Sequence, residues 1–239
     1  MNLSKFDALF LQAIQKSKMA SFSANDSKVT FSGLLIKFGR MRAGFLALEH
    51  LFDTLKMKTV NHQKRGSGNI DIEYFKSNLG KLPCQPDSSS MAKILESYEE
   101  THKSFIASDD FLMIFCIMLM LDGSDSISSP EIVQSLIIID QSFSCFDVSS
   151  DGTLQCEELI AALENNGGSS LNLRAKPKKS LRKKNLKLSG PASLLFDALD
   201  LDNSGEITFK EFLLGLRQIV MEMGQESFRE DQEQAPATD

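Results

Sequence analysis

Two twelve-residue stretches constrain this chain more than any other feature. Residues 147–158 carry Asp147, Ser149, Asp151, Gly152, Thr153, Leu154 and Glu158; residues 200–211 carry Asp200, Asp202, Ser204, Gly205, Glu206, Ile207 and Glu211. In both, an acid stands at position 1, a glycine at 6, an aliphatic residue at 8 and a glutamate at 12. Oxygen-bearing side chains fill positions 3 and 5. One such match is compatible with an acidic surface turn. Two, each between apolar residues at helical spacing, are not well explained that way: Phe143 and Phe146 precede the first, Phe196 and Leu199 the second, and Leu159 and Phe212 follow.

The spacing suits a hard divalent cation. Calcium takes six to eight oxygens in flexible geometry, and a twelve-residue loop can supply them from positions 1, 3, 5, 7, 9 and 12. Position 7 uses its backbone carbonyl, position 9 often acts through water, and a glutamate at 12 grips with both oxygens. The expected Ca2+ ligands are therefore Asp147, Ser149, Asp151, Thr153 and Glu158 in one loop, and Asp200, Asp202, Ser204, Glu206 and Glu211 in the other. Serine replaces a stronger ligand once per loop, at position 3 in the first and position 5 in the second. Each loop keeps three carboxylates, and the two sites are expected to be unequal.

On these residues the chain resembles the EF-hand superfamily, and most closely the calmodulin-like calcium sensors of plants. The resemblance is clearest over residues 129–223 and fainter over 30–121. It implies an all-α fold with EF-hands paired in two lobes, each lobe joined by a short two-stranded β ribbon between its loops. The implied division is an N-terminal helical extension (1–29), an N-terminal lobe with two degenerate hands (30–124), a C-terminal lobe with two calcium-binding hands (125–224, with a basic insert at 168–190), and a disordered tail (225–239).

The degenerate hands depart from the pattern at the ligands. With Ile70 at position 8, Gly68 falls at position 6 and Tyr74 at position 12; Asp53 lies ten residues too far away to open the loop, and 56–65 is basic. With Ile106 at position 8, Lys103 falls at position 5, Ser104 at 6 and Asp110 at 12. A lysine among the ligands opposes a cation, so neither unit is expected to bind, and both are expected to persist as packing partners.

Charge is unevenly spread. The net charge is −6, yet residues 174–187 hold eight basic residues and no acid, which leaves the rest near −14. An acidic body argues against a duplex nucleic-acid footprint over the whole protein. The basic stretch admits three readings: a solvated linker, a nuclear-import or anionic-membrane patch, or a leucine-bearing segment that docks on an acidic lobe.

Other features narrow the class. Cys84, Cys116, Cys145 and Cys156 form no C-x-x-C pair, and read as reduced thiols. The start has no signal-peptide pattern, and its second residue, Asn2, rules out myristoylation. The longest apolar run, 111–121, is shorter than the roughly 20 residues a bilayer span needs. A cytoplasmic and/or nuclear protein without a transmembrane segment is expected. His50, His62 and His102 are scattered, no phosphate loop or zinc motif occurs, and no enzyme is expected. Met113, Met118, Met120, Met221 and Met223 fit either core filling or an adaptable surface. The leading expectation is a sensor whose C-terminal lobe, on calcium loading, pulls in Glu158 and Glu211 and bares a groove of Phe143, Phe146, Leu159, Phe196, Phe212 and Leu216 for an amphipathic target helix. A buffer or structural EF-hand protein that does not open is the alternative.

Overall fold

The computed structural model describes residues 4–21, 31–60, 68–84, 89–101, 103–164 and 191–233. The basic stretch 174–187, His62, His102 and the end of the tail (234–239) lie outside that set. Among the described residues the chain is mostly helical, with two small antiparallel sheets. The first half runs α1 (Lys5–Ser21), α2 (Phe31–Ile36), α3 (Phe38–Val60), β1 (Ile70–Asp71), α4 (Ile72–Ser77), α5 (Ser89–Glu99), β2 (Phe105–Ile106) and α6 (Ser108–Asp122). The second runs α7 (Pro130–Phe146), β3 (Thr153–Gln155), α8 (Cys156–Glu164), α9 (Pro191–Leu199), β4 (Glu206–Thr208) and α10 (Phe209–Glu233). No helix among the described residues is long and apolar enough to cross a membrane.

Local chemistry explains most of these elements. In α1, the buried Phe6, Phe10, Ala13 and Ile14 recur at i, i+4, i+7 and i+8, one stripe of a 3.6-residue helix. Helix α7 opens on Ser129, whose side chain accepts the Ile132 amide, with Pro130 in the first turn where its missing N–H costs nothing. Its inner face is Ile132, Leu136, Ile139, Phe143 and Phe146. Helix α6 is apolar on every side, and every residue from Phe111 to Met120 is buried. It stops at Gly123, whose φ of 83° lies in the left-handed region open to glycine and whose amide donates to the Leu119 carbonyl at 2.8 Å. Helix α10 continues to Glu233, into residues 225–233 of the segment expected as a disordered tail. The glutamines, glutamates and arginine beyond Gly224 are good helix formers, and the next proline is Pro236.

Both pairs of loops are joined by antiparallel strands. Leu154 faces Ile207, the two position-8 residues of the second half, and both are fully buried. Ile70 faces Ile106 in the first half, also fully buried. The first half thus has the same apolar pairing as the second, without its set of ligand residues.

The expected separation into two lobes gives way to one shared core. Buried residues of both halves, and of α1, form a single cluster. Helix α3 lies along α7, and Gly44 is what lets it come close: a Cβ there would sit 2.3 Å from Ser135 Cβ and 2.5 Å from the Glu131 carbonyl oxygen. At the same crossing Ser135 Oγ donates to the Met41 carbonyl at 3.1 Å. Arg217 of α10 reaches α6, donating to Asp109 at 2.8 Å and to Ser108 Oγ at 2.9 Å. Between the halves, Ser126 and Ile127 are buried and Ile127 is bridged to Cys84. The apolar faces of the two halves cover each other, so neither is left for water. Met113, Met118 and Met120 accordingly fill the core.

Candidate metal centre

Both loops of the second half have the same backbone shape. Gly152 and Gly205 at position 6 have φ of 96° and 85°, and Ser150 and Asn203 at position 4 have φ of 58° and 56°. The left-handed region suits asparagine better than serine, so the third unit holds a slightly strained turn that the fourth does not. Position 4 supplies no ligand.

The first carboxylate of each loop is fixed by the turn it creates. Asp147 Oδ2 accepts the Gly152 amide at 3.0 Å, and Asp200 Oδ2 accepts the Gly205 amide at 2.9 Å. The last carboxylate is fixed twice. Glu211 Oε1 accepts the Asp202 amide at 3.3 Å across the loop, while Oε2 accepts the Thr208 amide at 2.9 Å and its hydroxyl at 2.7 Å. The Glu211 amide donates back to Thr208 Oγ1 at 3.3 Å, completing a capping box at the start of α10. Glu158 does the same in the third unit, taking the Ser149 amide at 2.7 Å and the Gln155 amide at 3.1 Å. Gln155 has no hydroxyl to close the box from its side. Both position-12 glutamates already face into their loops.

The two loops differ in how the carboxylates gather. Asp200, Asp202 and Glu211 offer oxygens that all lie within 4.8 Å of one another, the one such trio among the described residues. Asp147, Asp151 and Glu158 do not converge to that degree. In the third loop Ser149 Oγ donates to Asp147 Oδ1 at 3.2 Å, and Asp151 accepts from the Thr153 amide and hydroxyl, each at 3.0 Å, and from Gln155 Nε2 at 3.2 Å. In the fourth loop Ser204 Oγ donates to the Glu206 carbonyl at 2.8 Å, holding the position-7 oxygen beside the trio. Asp202 is held below the usual carboxylate range by hydrogen bonds from the Ser204 side chain and amide. A set of hard oxygens with no nitrogen or sulfur among them fits a calcium-class cation and not a thiophilic metal.

The first half shows what replaces a ligand set. In the second unit the buried Asp110, at position 12, accepts the Lys103 ammonium at 3.0 Å and the Tyr98 hydroxyl at 2.8 Å. The lysine at position 5 thus brings a cation covalently attached to the chain, and its Nζ stands 5.6 Å from the centre of the Tyr98 ring. Burial, then the neighbouring Asp110, pushes the Tyr98 hydroxyl far above its ordinary pKa, so it stays a donor. In the first unit Asp71 accepts the Tyr74 amide at 2.9 Å and serves as the cap of α4.

Known proteins agree with this reading in outline. The EF hand family pattern matches residues 193–216, which span the fourth unit. The chain is 20% identical to the probable calcium-binding protein CML21 of Arabidopsis thaliana, over 91% of this chain and 85% of that protein. It is 21% identical to the probable calcium-binding protein CML22 of the same plant, over 88% and 86%. No solved structure matches.

Proposed function

Taking the chain as a calmodulin-like EF-hand protein of the plant type, we propose that it is a calcium sensor that loads Ca2+ in its second half and thereby changes its hold on target proteins. The observation that carries this reading is the fourth loop: three carboxylates within 4.8 Å, with Glu211 already locked inward. A set of like charges this close repels itself, and a divalent cation relieves that repulsion. The ligands are Asp200, Asp202, Ser204, the Glu206 carbonyl and Glu211, with Asp147, Ser149, Asp151, the Thr153 carbonyl and Glu158 as a second, weaker site. Sensors of this class work at roughly 10⁻⁷ to 10⁻⁵ M. The protein acts by binding, without catalysis. Four free thiols suit a reducing compartment, cytoplasmic and/or nuclear. The target is a protein helix and not a specific nucleic acid, and the basic insert 174–187 is a candidate contact for an anionic membrane.

Calorimetric titration of the calcium-stripped protein tests this directly. Two sites are expected, the tighter one weakened about 100-fold by Glu211→Gln. Four sites, or none, sink the reading.

A second reading is a calcium buffer that binds without opening. It is favoured by the burial of Phe143, Phe146, Leu159, Phe196, Phe212 and Leu216, none more than 6% exposed. A hydrophobic dye separates the two: added fluorescence on calcium loading supports the sensor, and an unchanged signal the buffer.

A further inference from the structure

Helix α6 is apolar on all sides and cannot face water, so something must cover each of its flanks. One flank is covered by α1, which lies against α6 and α5 and also touches α7. The α1 stripe places Phe6 edge-on to Tyr98 at 5.2 Å between ring centres, and Phe10 edge-on to Phe209 at 5.6 Å. Tyr98 belongs to the second unit, and Phe209 opens the exiting helix of the fourth. Polar contacts sit at the two ends. Lys5 pairs with Glu100 at 2.5 Å, Ser17 Oγ donates to Asp140 at 2.5 Å, and the Lys16 ammonium donates to the Leu121 carbonyl, which ends α6. The opposite side of α1 is open, with Leu11 43% exposed.

This is the arrangement of a helix bound in a groove: one narrow apolar stripe inward, cations flanking it, and the far side in water. The groove walls also meet one another directly: α6 packs on α5 and α7, α7 packs on α10, and Arg217 of α10 bonds to Asp109 and Ser108 of α6. In sequence, residues 22–30 lie between α1 and α2.

We propose that the bed of α1 is a helix-binding surface whose resident ligand is α1 itself. The partner it fits is an amphipathic helix with bulky apolar residues at i, i+4 and i+8, a small one at i+7, and a cation just before the first anchor. Tyr98 and Phe209 read the first two anchors, and Glu100 reads the cation. Such a partner binds by replacing α1. None of the contacts named here uses a side chain of the two ligand sets, so the tests below do not depend on calcium binding.

Two measurements on the full-length protein test this. Hydrogen exchange of the unmodified chain comes first. If α1 is displaceable, its amides exchange through an opening that leaves those of α7 and α10 protected; exchange of all three only together overturns the proposal. The second is binding of a labelled synthetic peptide of residues 4–21. The Phe6→Ala/Phe10→Ala double variant of the full chain, with folding checked by circular dichroism, should bind this peptide at least about tenfold more tightly than the unmodified chain, because the internal competitor is weakened. A control peptide with both phenylalanines changed to aspartate should not bind. Equal affinity of the two chains, or binding of the control peptide, would overturn it.

Discussion

The second and fourth units share a frame and differ in what meets the acid at the end of the loop. Both have a two-stranded pairing with a fully buried isoleucine at position 8, Ile106 and Ile207, and a fully buried phenylalanine directly after position 12, Phe111 and Phe212. In the fourth, Glu211 is clamped by backbone amides and stands near two further carboxylates. In the second, Asp110 is met by Lys103 and Tyr98 from its own unit. A carboxylate at position 12 is therefore not itself a metal site; its neighbours decide whether a cation must come from solution. Losing the packing frame costs several kcal/mol, because a deleted buried ring leaves a cavity behind.

The shared frame can be broken first, and the effect should be the largest. Phe212→Ala and Phe111→Ala are each expected to lose about 3–5 kcal/mol of stability, read by urea unfolding, because both rings are fully buried against other aromatic rings. A cost below about 1 kcal/mol at Phe111 alone would mean the first half no longer serves as a packing partner. The difference in charge comes next. Glu211→Gln should weaken the tighter calcium site about 100-fold, on the order of 2.7 kcal/mol, as expected for losing a charged ligand. Glu158→Gln should leave that tighter phase intact and remove the weaker one; the reverse outcome would exchange the ranks of the two loops.

The junction of the halves is tested by Gly44→Ala. Its added Cβ meets Ser135 at 2.3 Å, so roughly 1–3 kcal/mol of destabilisation is expected in thermal or urea unfolding. No change would show that α3 and α7 are not held at this distance in solution. The smallest effect is in the thiols. Burial pushes Cys84 up to about 11 and Cys116 well above its ordinary value, while Cys145 is exposed. A thiol reagent at pH 8 should therefore label Cys145 in the second half first, and Cys84 and Cys116 only as the protein unfolds; at that pH about 0.1% of Cys84 is thiolate. Early labelling of Cys116 would contradict the burial of α6.

The loops of the second half were readable from the chain because their chemistry is local. Asp200, Gly205, Thr208 and Glu211 contact one another across a dozen residues, and the hydrogen bonds that join them run mostly to the backbone of the same loop. The pairing of Leu154 with Ile207 was readable too, since position 8 of each loop must hide its side chain. The role of Lys103 was half readable: a lysine among the ligands excludes calcium, but its bond to Asp110 depends on where the chain turns. What was missed lies between distant residues. The division into two lobes followed from family resemblance, and no run of residues shows that Gly44 admits Ser135. The six residues of the groove expected to open to a target are buried, and an amphipathic stripe such as that of α1 names no neighbour in the sequence.

Residue order alone determined where the two loops begin and end, which atoms they offer a cation, and that the first pair of units lacks them. Those are short-range facts, settled by spacing, by the left-handed turns of Gly152 and Gly205, and by the number of carboxylates. Tertiary structure decided that the fourth loop gathers its carboxylates more closely than the third, that Lys103 meets Asp110, and that α3 packs along α7 while α1 lies along α6. Apolar burial has no direction of its own. A stripe such as Phe6, Phe10 and Ile14 specifies that it must be covered, and only the folded shape specifies by what.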